Sequence, residues 1–238
     1  MQQHTSYINW SGGKDSALCL YKALQSKQYN IRCLLTSVNA AHNRISMHGV
    51  RRQLLEAQSA ALNIPLQTIE LPEQPGMAQY EEAMQQKVAE LNLAGCTHAL
   101  FGDIFLEDLK LYRESKLKAA GIECVFPLWK TDTTALLKEF LSLGFKTIIV
   151  CVNEQYLDKS FCGRIIDESF LDDLPVNVDP CGENGEFHTY CFDGPIYSNA
   201  IPFTKGETVY RKYAAPKNDD DAGGAEKEYG FYFCDLLA

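Results

Sequence analysis

Short apolar runs and stripes of apolar residues at helical spacing take turns along this chain, and the alternation holds as far as residue 152. Residues 7–10 read as a strand, and a helical stripe beginning at Ala17 and Leu18 follows. Residues 31–38 are apolar and β-branched, after which Val50, Leu54, Ala57, Ala61 and Leu62 mark one face of a helix. The succession then repeats, with strands predicted at 66–71, 98–102, 122–126 and 146–152 and helices at 77–93, 110–120 and 132–143. Strand and helix in turn predict an α/β fold: a mainly parallel sheet joined by right-handed crossovers, with helices on both faces. The rhythm fades beyond 153, where a mixed segment up to Pro175 leads into a glycine-rich turn and short strand-like pieces. A second, smaller C-terminal α+β domain is expected there, dividing the chain into 1–152 and 153–238. Within it, residues 217–228 read as an exposed, flexible acidic loop and 229–236 as a returning strand.

Composition narrows the classes without changing this outline. A hydrophobic content of 46% in 238 residues is enough to bury a full core. The segment Met1-Gln2-Gln3-His4-Thr5 lacks the basic and apolar regions of a signal peptide, and the chain has no run of about 18 apolar residues, so a cytoplasmic protein without a membrane partner is expected. Nine cysteines stand singly with no Cys-x-x-Cys pair, which suits small buried hydrophobes better than zinc or redox work. A formal charge of −9 argues against nucleic acid as a partner.

The first predicted strand runs into Ser11-Gly12-Gly13-Lys14-Asp15-Ser16 and then into a helix expected to start near Asp15 or Ser16. Adjacent glycines let the backbone turn tightly and approach a ligand, and a helix start offers unpaired amides and a positive dipole end. Such a turn suits phosphate. Lys14 adds a mobile point charge, and Ser11 and Ser16 add hydroxyls. A Walker loop is excluded, because it separates its first glycine from the Gly-Lys pair by four residues.

In open sheets of this kind, ligands gather beyond the carboxyl ends of the strands. Gly102-Asp103-Ile104, Glu107-Asp108 and Arg113 fall at one such end. Asp103 and Glu107 share a helical face if the helix starts early, which would suit Mg2+, with Asp15 as the other metal candidate. Arg113 has the planar fork to clamp a phosphate or carboxylate. Val38 and His48 belong to the strand end and loop that would flank a nucleotide base, whereas Arg51 and Arg52 read as solvent charges. A third stretch runs from Asp179-Pro180-Cys181-Gly182-Glu183 through Glu186-Phe187-His188-Thr189-Tyr190. Strand alternation would put Glu186, His188 and Tyr190 on one face, a polar face suited to binding. Glu183 and Glu186 are candidates to orient an amine, and His188 to move a proton.

The loop at 11–16 closely resembles the pyrophosphate-binding loop of the N-type ATP pyrophosphatases. Joined with Gly102-Asp103-Ile104, with Gly163-Arg164 and Asp167, and with the Gly-Glu-x-Gly-Glu-Phe motif at 182–187, it resembles the diphthine-ammonia ligase family over most of residues 5–195. The chain reads Glu183-Asn184-Gly185-Glu186-Phe187-His188-Thr189 where archaeal and eukaryotic ligases read Glu-Gly-Gly-Glu-Phe-Glu-Thr, and in this it is similar to bacterial relatives. The resemblance implies an adenine nucleotide alpha hydrolase-like first domain, with ATP and Mg2+ as cofactors. It further implies an ATP-dependent C–N ligase that adenylates a carboxylate, releases pyrophosphate and amidates the acyl group with ammonium. Lys14, Asp15, Asp103, Glu183, Glu186 and His188 would serve the chemistry. Ser11, Gly12, Gly13, Lys14, Asp15, Ser16, Val38, His48, Gly102 and Arg113 would serve the nucleotide. The acceptor stays open, and a homodimer is allowed for. Two alternatives stand beside the ligase: adenylation of a tRNA base carbonyl, and a nucleotide-binding sensor that catalyses nothing.

Overall fold

A computed structural model describes residues 3–45, 48–73, 75–214 and 228–238. Ser46 and Met47, beside His48, therefore lie outside the described residues, as does the acidic loop up to residue 227.

The first sheet contains β1 (His4–Asn9), β2 (Tyr29–Asn39), β3 (Arg44–Ile45), β4 (Leu66–Leu71), β5 (His98–Leu100) and β6 (Glu123–Val125). Five of these run parallel in the order β4-β2-β1-β5-β6, and short β3 adds antiparallel to the end of β2. Period-two alternation decides which residues face which layer. Ile8 and Leu34 enter a core formed with α1 (Lys14–Ser26), α2 (Arg52–Leu62) and α5 (Thr133–Ser142), while Tyr7, Cys33 and Leu35 enter another with α3 (Met77–Leu93) and α4 (Glu107–Ala119). The expected α/β architecture with helices on both faces is what the chain adopts. No described helix is long and apolar enough to cross a membrane.

One strand departs from the expected rhythm. β7 (Lys146–Asn153) does not join the parallel sheet; it pairs antiparallel with β8 (Phe187–Asp193) and β10 (Glu228–Leu237) in a second sheet ordered β8-β7-β10-β9, where β9 is Thr204–Ala214. Its unbroken apolar run reads like a doubly covered parallel strand. The run exists because β7 is central and buried on both faces, which an antiparallel strand also experiences when each face is covered. Ile148, Ile149, Val150 and Val152 share the first core with Ile8, Leu54 and Leu100, so the second sheet is packed on the α1 and α2 side of the first. Between β7 and β8 lies the short α6 (Phe170–Asp173).

Candidate active site

The chain leaves β1 toward β2 and leaves β5, the other neighbour of β1, toward β6. The loops after these adjacent strands diverge, which opens a crevice above their carboxyl ends. A cavity of about 740 Å³ occupies it, walled by loop 11–16, the turn at 102–103, and residues 181–189 from the second sheet.

Gly12 takes φ +77°, and a Cβ there would come within 2.8 Å of Gln58 Oε1, so glycine is required on both counts. Gly13 N donates to Ser11 Oγ at 3.3 Å, Ser11 Oγ to Ser16 Oγ at 3.3 Å, and Ser16 Oγ to Gly13 O at 2.9 Å. The helix begins at Lys14, slightly earlier than expected, with Gly13 as N-cap, and its positive end meets the cavity. Lys14 is not mobile. Its side chain is only 3% exposed, and Nζ donates to Asp15 Oδ1 at 2.8 Å, to Asp15 Oδ2 at 2.7 Å and to the carbonyl oxygen of Cys181. Burial works most strongly against its charge, but Asp15, Cys181 and Glu183 together outweigh burial and hold Lys14 above the ordinary lysine value. Asp15 keeps 31% of its side chain exposed and lines the cavity.

Gly102 packs against the start of α1, where a Cβ would meet the Asp15 carbonyl at 3.0 Å. Asp103 and Arg113 pair with each other: Arg113 Nη2 donates to Oδ1 at 3.1 Å, and Nε lies 2.8 Å from Oδ2 in ionic contact without hydrogen-bond alignment. The guanidinium also stacks 4.4 Å above the Phe101 ring. Both side chains line the cavity, each already engaged. The shared helical face expected for Asp103 and Glu107 does not form, because α4 starts only at Glu107, which reaches Lys130 at 3.4 Å.

The second sheet sorts its polar residues by burial. Glu183, in the turn before β8, reaches across to the loop after β5, where Oε1 accepts from Ile104 N at 2.7 Å and Phe105 N at 3.4 Å. Burial, reinforced by the Asp15 and Asp103 carboxylates and opposed by those amides, pushes its pKa up to about 7. Glu186 turns away from the cavity and is 1% exposed, accepting from Asp179 N at 3.1 Å, Asn184 N at 2.9 Å and Asn184 Nδ2 at 3.0 Å. It precedes β8 and sits in the turn, so strand alternation does not govern it. His188 lines the cavity, while Tyr190 is buried and its hydroxyl donates to Leu54 O at 3.1 Å. His188 stacks on His48 with centroids 4.6 Å apart and planes at 21°, and His48 Nδ1 lies 3.3 Å from Thr189 O. Burial lowers the His48 pKa to about 4 and holds His188 well below the ordinary value, so both rings are neutral at neutral pH.

Of the other residues read from the sequence, Ser11, Gly13 and Ser16 line the cavity, whereas Gly12 and Val38 do not. Val38 is buried, and its neighbours Ser37 and Asn39 face the cavity instead, as alternation along β2 requires. Arg51 is no free solvent charge: with Arg44 it binds Asp235 of β10, at 2.6 Å and 2.8 Å respectively. Arg164 is held by Asp173 at 2.7 Å, away from the cavity. Cys181 lines the cavity, yet burial pushes its thiol far up, which removes it as a nucleophile at neutral pH. Among the described residues, no three His, Cys, Asp or Glu side chains are grouped to hold a metal. Two residues escaped the sequence reading: Thr189, whose Oγ1 accepts from Lys14 N at 3.0 Å, and Gln58, buried beneath the loop. The signal for Gln58 was its place on the apolar stripe of α2.

The model of the diphthamide synthase N-terminal domain matches residues 4–124, and that of the diphthamide synthase C-terminal domain matches 132–215. The chain is 29% identical over 100 residues to a diphthine–ammonia ligase of Schizosaccharomyces pombe, a stretch covering 40% of this chain and 16% of that protein. It is 33% identical over 90 residues to that of Danio rerio, covering 34% of each, and 27% identical over 113 residues to that of Homo sapiens, covering 45% of this chain and 42% of the human protein. The matched stretches thus span less than half of each relative's length.

Proposed function

The chain belongs to the diphthamide synthase family, and from that premise we propose that it is an ATP-dependent ligase joining ammonia to a carboxylate. The observation that carries the proposal is the meeting of two segments at one cavity: a glycine turn suited to phosphate from the first sheet, and a carboxylate-bearing segment from the second, tied together by Lys14 and Glu183. The relatives are named for joining diphthine to ammonia; we extend ammonia to this chain as nitrogen donor, and a carboxylate as acceptor.

In the first step, a carboxylate oxygen of the acceptor attacks the α phosphorus of ATP, and the bond from that phosphorus to the bridging oxygen breaks. Pyrophosphate leaves. The amides and hydroxyls of loop 11–16, with the charge of Lys14 beside them, stabilise the negative charge that builds on it. In the second step, ammonia attacks the acyl carbon, the bond to AMP breaks, and nitrogen gives up a proton. Glu183, titrating near 7, is suited to accept it. The neutral rings of His48 and His188 orient the reactants, since neither carries a charge to compete with Lys14. Positioning supplies most of the acceleration, with no covalent enzyme intermediate.

A magnesium ion would be held chiefly by phosphate oxygens, with Asp15, partly exposed although both its oxygens accept from Lys14, the nearer protein ligand, since Asp103 is committed to Arg113. Such an ion would offset charge on the triphosphate. Nine free cysteines suit a reducing compartment, and we place the enzyme in the cytoplasm.

Pyrophosphate release, measured with ATP, ammonium and a panel of carboxylates that includes diphthine, tests the proposal. The expected result is release that depends on one acceptor. ATP binding with no release for any acceptor would favour the sensor and contradict the ligase.

A further inference from the structure

Gln58 is fully buried in α2 among Leu54, Leu55, Ala61 and Leu62, where packing alone calls for a hydrocarbon. Its amide is nevertheless used in three directions. Oε1 accepts from the Trp10 indole at 2.8 Å, and Nε2 donates to Gly12 O at 2.9 Å and to Cys191 O at 2.7 Å. An indole only donates and a backbone carbonyl only accepts, so a single orientation of the amide satisfies all three contacts. A methionine would fill the space without needing any partner, whereas a buried amide is tolerated only when its hydrogen bonds are made.

The consequence lies in the Gly12 carbonyl. It accepts from Gln58 and also from Cys191 N at 2.8 Å, so two donors fix it toward α2 and β8. A trans peptide is planar, and its C=O and N–H point in opposite directions. Fixing the Gly12 oxygen therefore turns the Gly13 N–H away from α2 and toward Ser11 Oγ at the cavity wall. The same glutamine reaches Cys191 on the strand that carries His188 and Thr189, so one side chain ties the turn after β1 to the second sheet.

We infer that Gln58 is a positioning residue that locks the Gly12–Gly13 peptide, whose N–H holds Ser11 Oγ, so that loop 11–16 presents the Ser11 hydroxyl and the start of α1 to the outer phosphates of a bound nucleotide. The inference rests on the phosphate-binding reading of that loop proposed above. Gln58 touches no ligand itself; it acts through Gly12.

The test compares Gln58→Met with the parent chain of 238 residues, using calorimetric binding of inorganic pyrophosphate and of adenosine, which lacks phosphates. The expected result is pyrophosphate affinity weakened at least about tenfold, since a preorganised anion site loses its geometry, with adenosine affinity changed less than about twofold. A purely structural role would weaken both ligands alike or neither, and either pattern overturns the inference. Should Gln58→Met fail to fold, Gln58→Glu serves: ionised, it has no donor, and protonated, it supplies one O–H. Pyrophosphate binding relative to the parent is then weaker at pH 8 than at pH 5.5; a ratio independent of pH contradicts the assignment. A parent that binds no pyrophosphate refutes the phosphate loop itself, whereas equal binding by parent and variant refutes only the part given to Gln58.

Discussion

The turn at 11–16 and the segment at 179–193 both set small polar residues and charges around glycines, yet they build their share of the cavity by different means. In the first, backbone geometry does most of the shaping: Gly12 takes a left-handed φ, and the start of α1 faces the cavity. In the second, side chains decide, and burial sorts them. Glu183 and Glu186 look equivalent on paper, but Glu183 crosses to the amides of Ile104 and Phe105, while Glu186 folds back on its own turn. A site made from backbone is written locally, whereas a site made from side chains waits on the elements that pack against it.

If that contrast is right, the largest loss comes from the charge standing between the two regions. Lys14→Met is expected to lower turnover about 100-fold or more, the scale for removing a preorganised charge donor from a developing anion. A folded variant turning over within a few-fold of the parent would separate Lys14 from the chemistry.

The two glutamates are expected to split next. Glu183→Gln should reduce kcat/KM by about 10- to 100-fold, the scale of general base catalysis, and should remove the fall in activity that the parent shows as pH drops below about 7. Its raised pKa means the folded state holds the proton more tightly than the unfolded state. The stability this contributes is complete below the ordinary glutamate value and is lost as pH rises through about 7, so at pH 8 Glu183→Gln forfeits none of this proton-linked part. Glu186→Gln should do the reverse, costing about 2 kcal/mol in urea unfolding because it weakens three hydrogen bonds at a buried side chain. Its effect on the pH profile should be absent. Exchange of these two outcomes would invert the comparison.

The stacked imidazoles give a pH-dependent effect. Both are depressed by burial, so their contribution is present above the ordinary histidine value of 6.5 and is lost as pH falls from there toward about 4, the folded value for His48. Between pH 7.5 and 5 the loss should be about 2 kcal/mol for each ring, read from urea midpoints in a Glu183→Gln background, since Glu183 acts in the opposite sense. The double variant His48→Gln, His188→Gln should flatten this dependence. A flat profile in its parent would show the rings to be solvated.

The smallest effect belongs to the clamp outside the cavity. Burial opposes the Asp235 carboxylate, but Arg51 and Arg44 outweigh it and hold its pKa at about 2, so its contribution is present above the ordinary value of 3.8 and is lost as pH falls through about 2. With both arginines partly exposed, Asp235→Asn should cost under about 1 kcal/mol at neutral pH.

The same contrast explains how far the sequence can be read. Periodicity located the parallel strands and the helices between them, because Tyr7, Ile8, Cys33 and Leu34 are sorted by rules that span only a few residues. It misplaced β7, since an apolar run reports coverage on both faces and says nothing of the partner strand's direction. The glycine turn was readable for the same local reason. The engagement of Asp103 with Arg113, the inward turn of Glu186 and the anchoring of Arg51 by Asp235 were not, because each depends on residues brought together by the fold. Gln58 shows the limit most clearly: its contacts at Trp10, Gly12 and Cys191 come from three separate parts of the chain.

A crystal structure with a nonhydrolysable ATP analogue tests the central claim most directly. The account expects the β and γ phosphates against loop 11–16 at the start of α1, beside Lys14 and facing Glu183. Density for the nucleotide elsewhere, with that turn empty, would contradict it.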